Sequence, residues 1–283
     1  MNKTGISVLI SAILFLSSPL SVNAQTGSPG FRVIAFFTAK NDPAHISFVH
    51  EANSWFGKIA REYNFEYDST NDWDNLNTKF LSDYQVVIFL DTRPEEKAQR
   101  EAFEKYMKNG GGWMGFHFAA FALTPSNYPQ NWDWYHNEFL GSGSYVSNTW
   151  APTPAVLRVE DHDHPATIGL PDTFTSAPNE WYRWSNDLRK DPDIEILLSI
   201  DSTSFPLGTG PKPSEIWHSG YYPVVWTNKN YRMIYLNMGH NLMDYADKSD
   251  KELSFTFENK VQDKLVIDAL LWLGRGKDST SGK

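Results

Sequence analysis

The chain has 283 residues, a formal net charge of −9 and an apolar content of 41%, which supplies one sizeable core and an acidic surface. Such a surface repels phosphate backbones and anionic lipid heads, which argues against nucleic acid and membrane surfaces as partners. There is no cysteine, so thiolate nucleophiles, thiolate metal sites and disulfides are excluded.

The first 24 residues read as a signal peptide, with Lys3 as a short positive region, an apolar run from Ile6 to Leu16 and a small-x-small site at Val22-Asn23-Ala24. The run is shorter than the about 20 residues a spanning helix needs. An uncleaved anchor is the alternative, and a lipid-modified cysteine is excluded. Export to the periplasm or medium is therefore expected. A short linker at 25–30 leads into one domain at 31–275, and the Ser/Lys/Gly tail at 276–283 is expected to be disordered.

From Phe31 the chain alternates strand and helix signals. Arg32 to Phe37 is a β-rich run, followed by a polar loop from Thr38 to Ala44. Phe48, Ala52, Trp55, Phe56, Ile59 and Ala60 then recur at helical spacing. Phe65 to Asp68 predicts a second strand and Val86 to Leu90 a third, apolar throughout as when helices cover both faces. A helix is predicted from Pro94 to Lys108, ended by Asn109-Gly110, and a fourth strand from Trp113 to Phe116. Successive βα units predict a doubly wound, mostly parallel sheet with helices on both faces.

The next stretch is irregular, with long loop insertions. Phe121 to Asn131 reads as a loop, Trp132 to Leu140 as a short helix, and Gly141 to Pro154 as a Gly/Ser/Asn/Pro loop. Ala155 to Val159 and Ile194 to Ile200 predict strands, and Ser204 to Ser214 another loop. Val224 to Thr227 and Arg232 to Leu236 form a strand pair around Asn228-Lys229-Asn230, and Gln262 to Leu273 a closing helix. Aromatics make up 15% of the chain, and those in polar, Gly/Pro-rich stretches can either anchor loops or stack on sugar rings.

In a doubly wound sheet, ligands bind beyond the carboxyl ends of the strands. That rule selects Thr38 to His45, Asp91 to Pro94, and the turn at His117. The run Gly110-Gly111-Gly112-Trp113-Met114-Gly115-Phe116-His117-Phe118-Ala119 has the layout of a nucleophile elbow, with histidine at the apex. Histidine cannot replace the serine or cysteine of acyl transfer, but it serves as acid/base or metal ligand. His240 also follows a strand, through Met238-Gly239. His162-Asp163-His164-Pro165 is compatible with metal ligands or with a plain turn. Gly110 to Gly112 precedes a strand rather than opening a helix, so it is not a dinucleotide fingerprint.

At this point the sequence resembles the trehalose-utilisation, or ThuA-like, family, through VIAFFTAKNDPAHISF, GGGWMGFHFAAF, DWYHNEFLG, VEDHDHPATIGLP, NEWYRW and PVVWTNKNYRMIYLNMGH in that order. The resemblance implies a class I glutamine amidotransferase-like, flavodoxin-like fold with histidine in place of the elbow cysteine. It also implies a setting in disaccharide catabolism, often beside dehydrogenases that make 3-keto sugars. Matching positions imply a polar cluster of His45, His117, Glu180 and His240, with His45 equally able to cap the first helix. One departure is visible: Ser147-Asn148-Thr149-Trp150 stands where relatives commonly carry a histidine-proline pair.

The reading is an exported saccharide-processing protein in which His117 and His240 serve as acid/base for proton abstraction beside a carbonyl or for hydrolysis. Glu180 positions a hydroxyl or shares the proton work, and His45 completes the catalytic set. Asp91, Trp134, Tyr135, Trp181 and Tyr182 would hold a disaccharide or keto-sugar ligand. A metal-dependent hydrolase, with His45, His117 and His240 binding a divalent metal such as zinc, is the second reading. A non-catalytic saccharide-binding module is the third.

Overall fold

The computed structural model describes residues 30–40, 42–124, 131–149, 151–201, 222–243 and 252–276. The expected signal peptide, the linker before residue 30, the 204–214 loop and the tail beyond Gly276 lie outside them.

The strands are β1 (Arg32–Phe36), β2 (Glu66–Thr70), β3 (Val86–Phe89), β4 (Gly112–Phe116), β5 (Tyr145–Asn148), β6 (Val156–Val159), β7 (Thr173–Thr175), β8 (Tyr182–Trp184), β9 (Ile194–Ile200), β10 (Tyr222–Asn228) and β11 (Tyr231–Leu236). The helices are α1 (Pro43–Tyr63), α2 (Thr78–Leu81), α3 (Lys97–Lys108) and α4 (Lys260–Arg275). One sheet runs β2-β1-β3-β4-β11-β10-β9-β6-β7, while β5 and β8 form a separate pair. From β2 to β11 every pairing is parallel, and from β11 onward every pairing is antiparallel. The parallel half therefore has the flavodoxin-like order 2-1-3-4-5, with β11 as its fifth strand.

Helices on both faces explain why β3 is buried at every residue. On one face Phe48, Val49, Ala52 and Phe56 of α1 and Leu265, Val266, Ala269 and Leu270 of α4 pack against Val33, Ile88, Met114 and Ile234. On the other, Phe103 and Met107 of α3 pack with Val87, Phe89, Trp113, Met233 and Tyr235.

Local chemistry sets the boundaries. Asp42 caps α1 by accepting from Ala44 N at 2.8 Å, Pro43 occupies the first turn, and Asn64 ends the helix at φ 57°. His45 is therefore inside the helix and not its cap. Helix α3 begins at Lys97 rather than Pro94, because Glu96 and Gln99 form a reciprocal capping box. The predicted 132–140 helix is a single π-helical turn, Trp134–Phe139. Strand β5 lies inside the stretch that reads as a Gly/Ser/Asn loop, and β7 and β8 are short strands the sequence pattern does not mark.

Candidate active site

Strands β1, β3, β4 and β11 end on the same side of the sheet, and the loops leaving them build the site. Strand β4 runs into a single 3-10 turn, His117–Ala120, that opens with His117 at φ 38°. A bulky residue in the left-handed region costs about 1–3 kcal/mol, so surrounding contacts must hold it. Tyr235 supplies one, donating its hydroxyl to the His117 carbonyl at 2.8 Å. Gly115, two residues earlier in β4, has no room for a side chain, because a Cβ there would overlap the Trp113 indole. Strand β11 leads through Met238 and Gly239 to His240, with Gly239 at φ 125°, a conformation glycine adopts freely.

The structure brings together the four residues of the expected cluster. The imidazole of His45 lies 5.4 Å from that of His117 and 5.0 Å from that of His240, between ring centres, and those two are 5.3 Å apart. Glu180 joins them from the segment before β8. Its Oε2 stands 3.4 Å from His117 Nε2 and 3.4 Å from His240 Nδ1, while its Oε1 accepts from Asn148 Nδ2 at 2.6 Å. Asn148 thus secures the carboxylate. Tyr182 closes the cluster with its ring 4.2 Å from that of His117.

His117, Glu180 and His240 are buried, at 1%, 6% and 2% exposure, and only His45 is partly open. Burial, then the neighbouring His45, holds the His117 pKa well below the usual imidazole range. His240 is pushed down to about 3, by burial first and His117 next, with Glu180 opposing. Both rings are therefore neutral near pH 7. Burial, aided by Glu180, raises the Tyr182 phenol well above its ordinary value.

A cavity of about 560 Å³ opens beside the cluster, lined by His45, Asp42, Trp73, Arg93, Phe118 and Gln99 among others. It lies over the carboxyl ends of β1 and β3, as the crevice rule requires. Asp91 also lines it, but both carboxylate oxygens are committed: one accepts from Thr38 N at 2.8 Å, the other from Thr38 Oγ1 at 2.8 Å and Ala39 N at 2.6 Å. Asp91 braces the loop after β1.

Three proposed sugar-stacking aromatics lie elsewhere. Tyr135 is fully buried, with its hydroxyl donating to Ala119 O at 3.0 Å, and Trp181 is fully buried, with Nε1 donating to Thr153 O at 2.8 Å. Trp134 packs on Phe103, Phe139 and Tyr231 over α3. Tyr135 and Trp181 thus offer no face to a ligand, half-buried Trp134 is not among the cavity-lining residues, and Trp73 and Phe118 are aromatics that line the cavity. Trp73 was readable only as an isolated Trp in the polar loop after β2. The His162–His164 motif forms a turn: Asp161 accepts from Asp163 N and His164 N at 2.7 and 3.2 Å, and His164 Nδ1 accepts from Ala166 N at 3.1 Å.

Among the described residues, one group of metal-ligating side chains converges: His45, His117 and His240, with one possible ligand atom each, all within 4.8 Å of one another. His45 Nε2, His117 Nε2 and both nitrogens of His240 have no hydrogen-bond partner among the described residues.

The family model for trehalose utilisation, ThuA, matches residues 32–255. A ThuA-like protein of Bacteroides uniformis is 36% identical, with a TM-score of 0.75, covering 87% of this chain and 92% of its own. A ThuA-like protein of Parabacteroides merdae is 20% identical, with a TM-score of 0.54 and coverages of 87% and 90%. A comparison with curated proteins gave no match. The glutamine amidotransferase-like α/β fold implied by the sequence resemblance is the fold found. With residues 32–255 matched, the chain belongs to the ThuA family, described by trehalose utilisation.

Proposed function

We propose that this protein processes a saccharide in the cavity beside His45, using His45, His117, His240 and Glu180 for proton transfer. The observation that carries the reading is the shared Glu180 Oε2, which sits 3.4 Å from a nitrogen of each of two buried imidazoles. A carboxylate flanked by two neutral imidazoles can take a proton from a carbon beside a carbonyl, or from attacking water, and return it. His45 borders the cavity and touches both other rings, so it is the first group a ligand meets. Trp73 and Phe118 offer apolar faces, and Asp42, Glu96 and Gln99 offer hydroxyl partners, a mixture suited to a sugar ring. A disaccharide or its keto derivative is the proposed substrate class. Export is proposed on the N-terminal pattern alone, and sequencing of the mature protein should begin at Gln25.

The test is a turnover and binding screen of disaccharides and keto-sugars with wild type, His45→Ala and His117→Ala. The reading requires turnover that both substitutions abolish. Binding without turnover in wild type would leave a saccharide-binding module instead, and no binding of any saccharide would remove the substrate class.

The convergence of three histidines supports a second reading, a divalent metal such as zinc held by His45, His117 and His240. The surroundings of His117 do not fit it as a ligand through Nε2. Such ligation needs the Nε2 lone pair and a proton on Nδ1, yet Nδ1 faces the Asn237 amide nitrogen, itself a donor, at 3.2 Å. Elemental analysis of purified protein, and activity with and without chelator, separate the two readings.

A further inference from the structure

Asn237 is fully buried between β11 and the His240 loop. The Tyr182 main-chain N–H donates to Asn237 Oδ1 at 2.7 Å. A main-chain nitrogen can only donate there, so this contact fixes which end of the amide is oxygen. Turning the amide over would set two donors 2.7 Å apart.

The amide nitrogen must therefore occupy the other side. It stands 3.3 Å from the Tyr235 hydroxyl, which it donates to, and 3.2 Å from His117 Nδ1. The Tyr235 hydrogen is already committed to the His117 carbonyl at 2.8 Å. Both Nδ2 hydrogens are thus assigned, one to the Tyr235 oxygen and one to His117 Nδ1. A ring nitrogen that accepts carries no proton.

We propose that Asn237 is a positioning residue that holds His117 in the tautomer protonated at Nε2, so that its N–H points at Glu180. The chain of constraint runs Tyr182 N–H, Asn237 amide, His117 Nδ1, His117 Nε2–H, Glu180 Oε2. Every step but the last is a hydrogen bond of ordinary length, and the last, at 3.4 Å, has room to tighten when a ligand binds. This arrangement presents the His117 Nε2–H to Glu180 as a hydrogen-bond donor, which steadies the carboxylate as the group that takes up a proton. It also closes Nε2 to a metal ion. The tautomer stands on geometry alone, whereas its catalytic use rests on the proton-transfer reading above.

Asn237→Asp should reverse the assignment. Aspartate keeps an oxygen facing the Tyr182 N–H and places the other against His117 Nδ1. That oxygen then demands a proton on Nδ1 and frees the Nε2 lone pair, as in carboxylate–histidine–metal triads.

The experiment is nitrogen NMR of full-length protein labelled at histidine, with His117→Gln used to assign the His117 ring signals. Wild type near pH 7 should show a protonated Nε2 and an unprotonated Nδ1. Asn237→Asp should exchange the two, and Asn237→Ala should show a mixture. Cobalt(II) alone, followed by its absorption, should bind Asn237→Asp about tenfold or more tightly than wild type. A protonated Nδ1 in wild type overturns the proposal without any variant having to fold. So does an unchanged pattern in folded Asn237→Asp. Absence of saccharide turnover in wild type, with the tautomer as proposed, would count against the catalytic reading only.

Discussion

Glu180 and His240 are bonded through their main chains and meet again through their side chains. The Glu180 main-chain N–H donates to the His240 carbonyl at 3.0 Å, and Glu180 Oε2 stands 3.4 Å from His240 Nδ1. The main-chain bond places the carboxylate at one ring, and the distance to the other, His117, follows from the fold of the β4 turn. The position of Glu180 is thus set by backbone, so changing its charge should leave the site's shape intact.

Glu180→Gln should therefore separate chemistry from structure. The glutamine oxygen can still accept from Asn148 Nδ2, which now donates to Glu180 at 2.6 Å. The charge between the two imidazoles is lost. Turnover of the saccharide substrate should fall by about 10²–10⁴-fold, the usual worth of a proton-transferring group, while the melting temperature changes by only a few degrees. Steady-state kinetics and a thermal melt on the same sample check this, and turnover within twofold of wild type would remove Glu180 from the proton path.

The His117 backbone makes a second prediction. At φ 38° a Cβ is strained, and glycine is free of that strain. His117→Gly should therefore be more stable than His117→Ala by about 1 kcal/mol, the reverse of the order expected at an ordinary position. Both remove the same imidazole, so the lost packing cancels in the comparison. Urea denaturation of the two variants measures it, and an alanine variant as stable as the glycine one would show that the turn relaxes.

Gly115 carries the third. Its neighbour two residues back, Trp113, lays its indole across the space a side chain would fill. Trp113 is fully buried against Phe89, Phe103 and Phe139, so it has nowhere to retreat. Gly115→Ala should cost about 1–3 kcal/mol through overpacking. Because Gly115 is two residues before His117, turnover should fall as well. Chemical denaturation alongside kinetics tests both halves.

Some of this was legible in the sequence for physical reasons. Arg32–Phe36 and Val86–Phe89 are strands covered on both faces, and burial on both faces writes a continuous apolar run. His117 and His240 were visible because strand ends in this architecture face the crevice. Tyr145–Asn148 was not legible: YVSN is short and polar, and what holds it is pairing with β8, far along the chain. Trp134 and Tyr135 read as ligand-facing because aromatic density in a polar stretch looks alike in a loop and in a π-helical turn packed on the core. Asn237 gave no signal at all. One polar residue after an apolar strand has no periodicity to betray it, and its role depends on Tyr182, brought near only by folding.

The buried histidines make the final prediction, an acid limb in stability. His240 is held at about 3 and His117 well below its ordinary value, against about 6.5 for each in the unfolded chain. Between those limits the unfolded chain binds protons that the folded one refuses, so stability falls as pH drops below 6.5. For His240 the slope is up to about 1.4 kcal/mol per pH unit, the free-energy equivalent of one proton. Two carboxyls work the other way: Glu195, raised to about 7 mainly by its hydrogen bond with Asp161, and Asp263, raised to about 7 mainly by burial. Their folded forms keep a proton that the unfolded chain releases above its carboxylate pKa, so their contribution is lost as pH rises towards 7. These carboxyl effects are common to wild type and His240→Gln and cancel between them. Wild type should therefore lose more stability than His240→Gln from pH 6.5 to 5, by on the order of 1–2 kcal/mol. Urea denaturation curves for both proteins at the two pH values give the difference, and identical losses would mean that His240 takes up a proton in the folded state as readily as in the unfolded one.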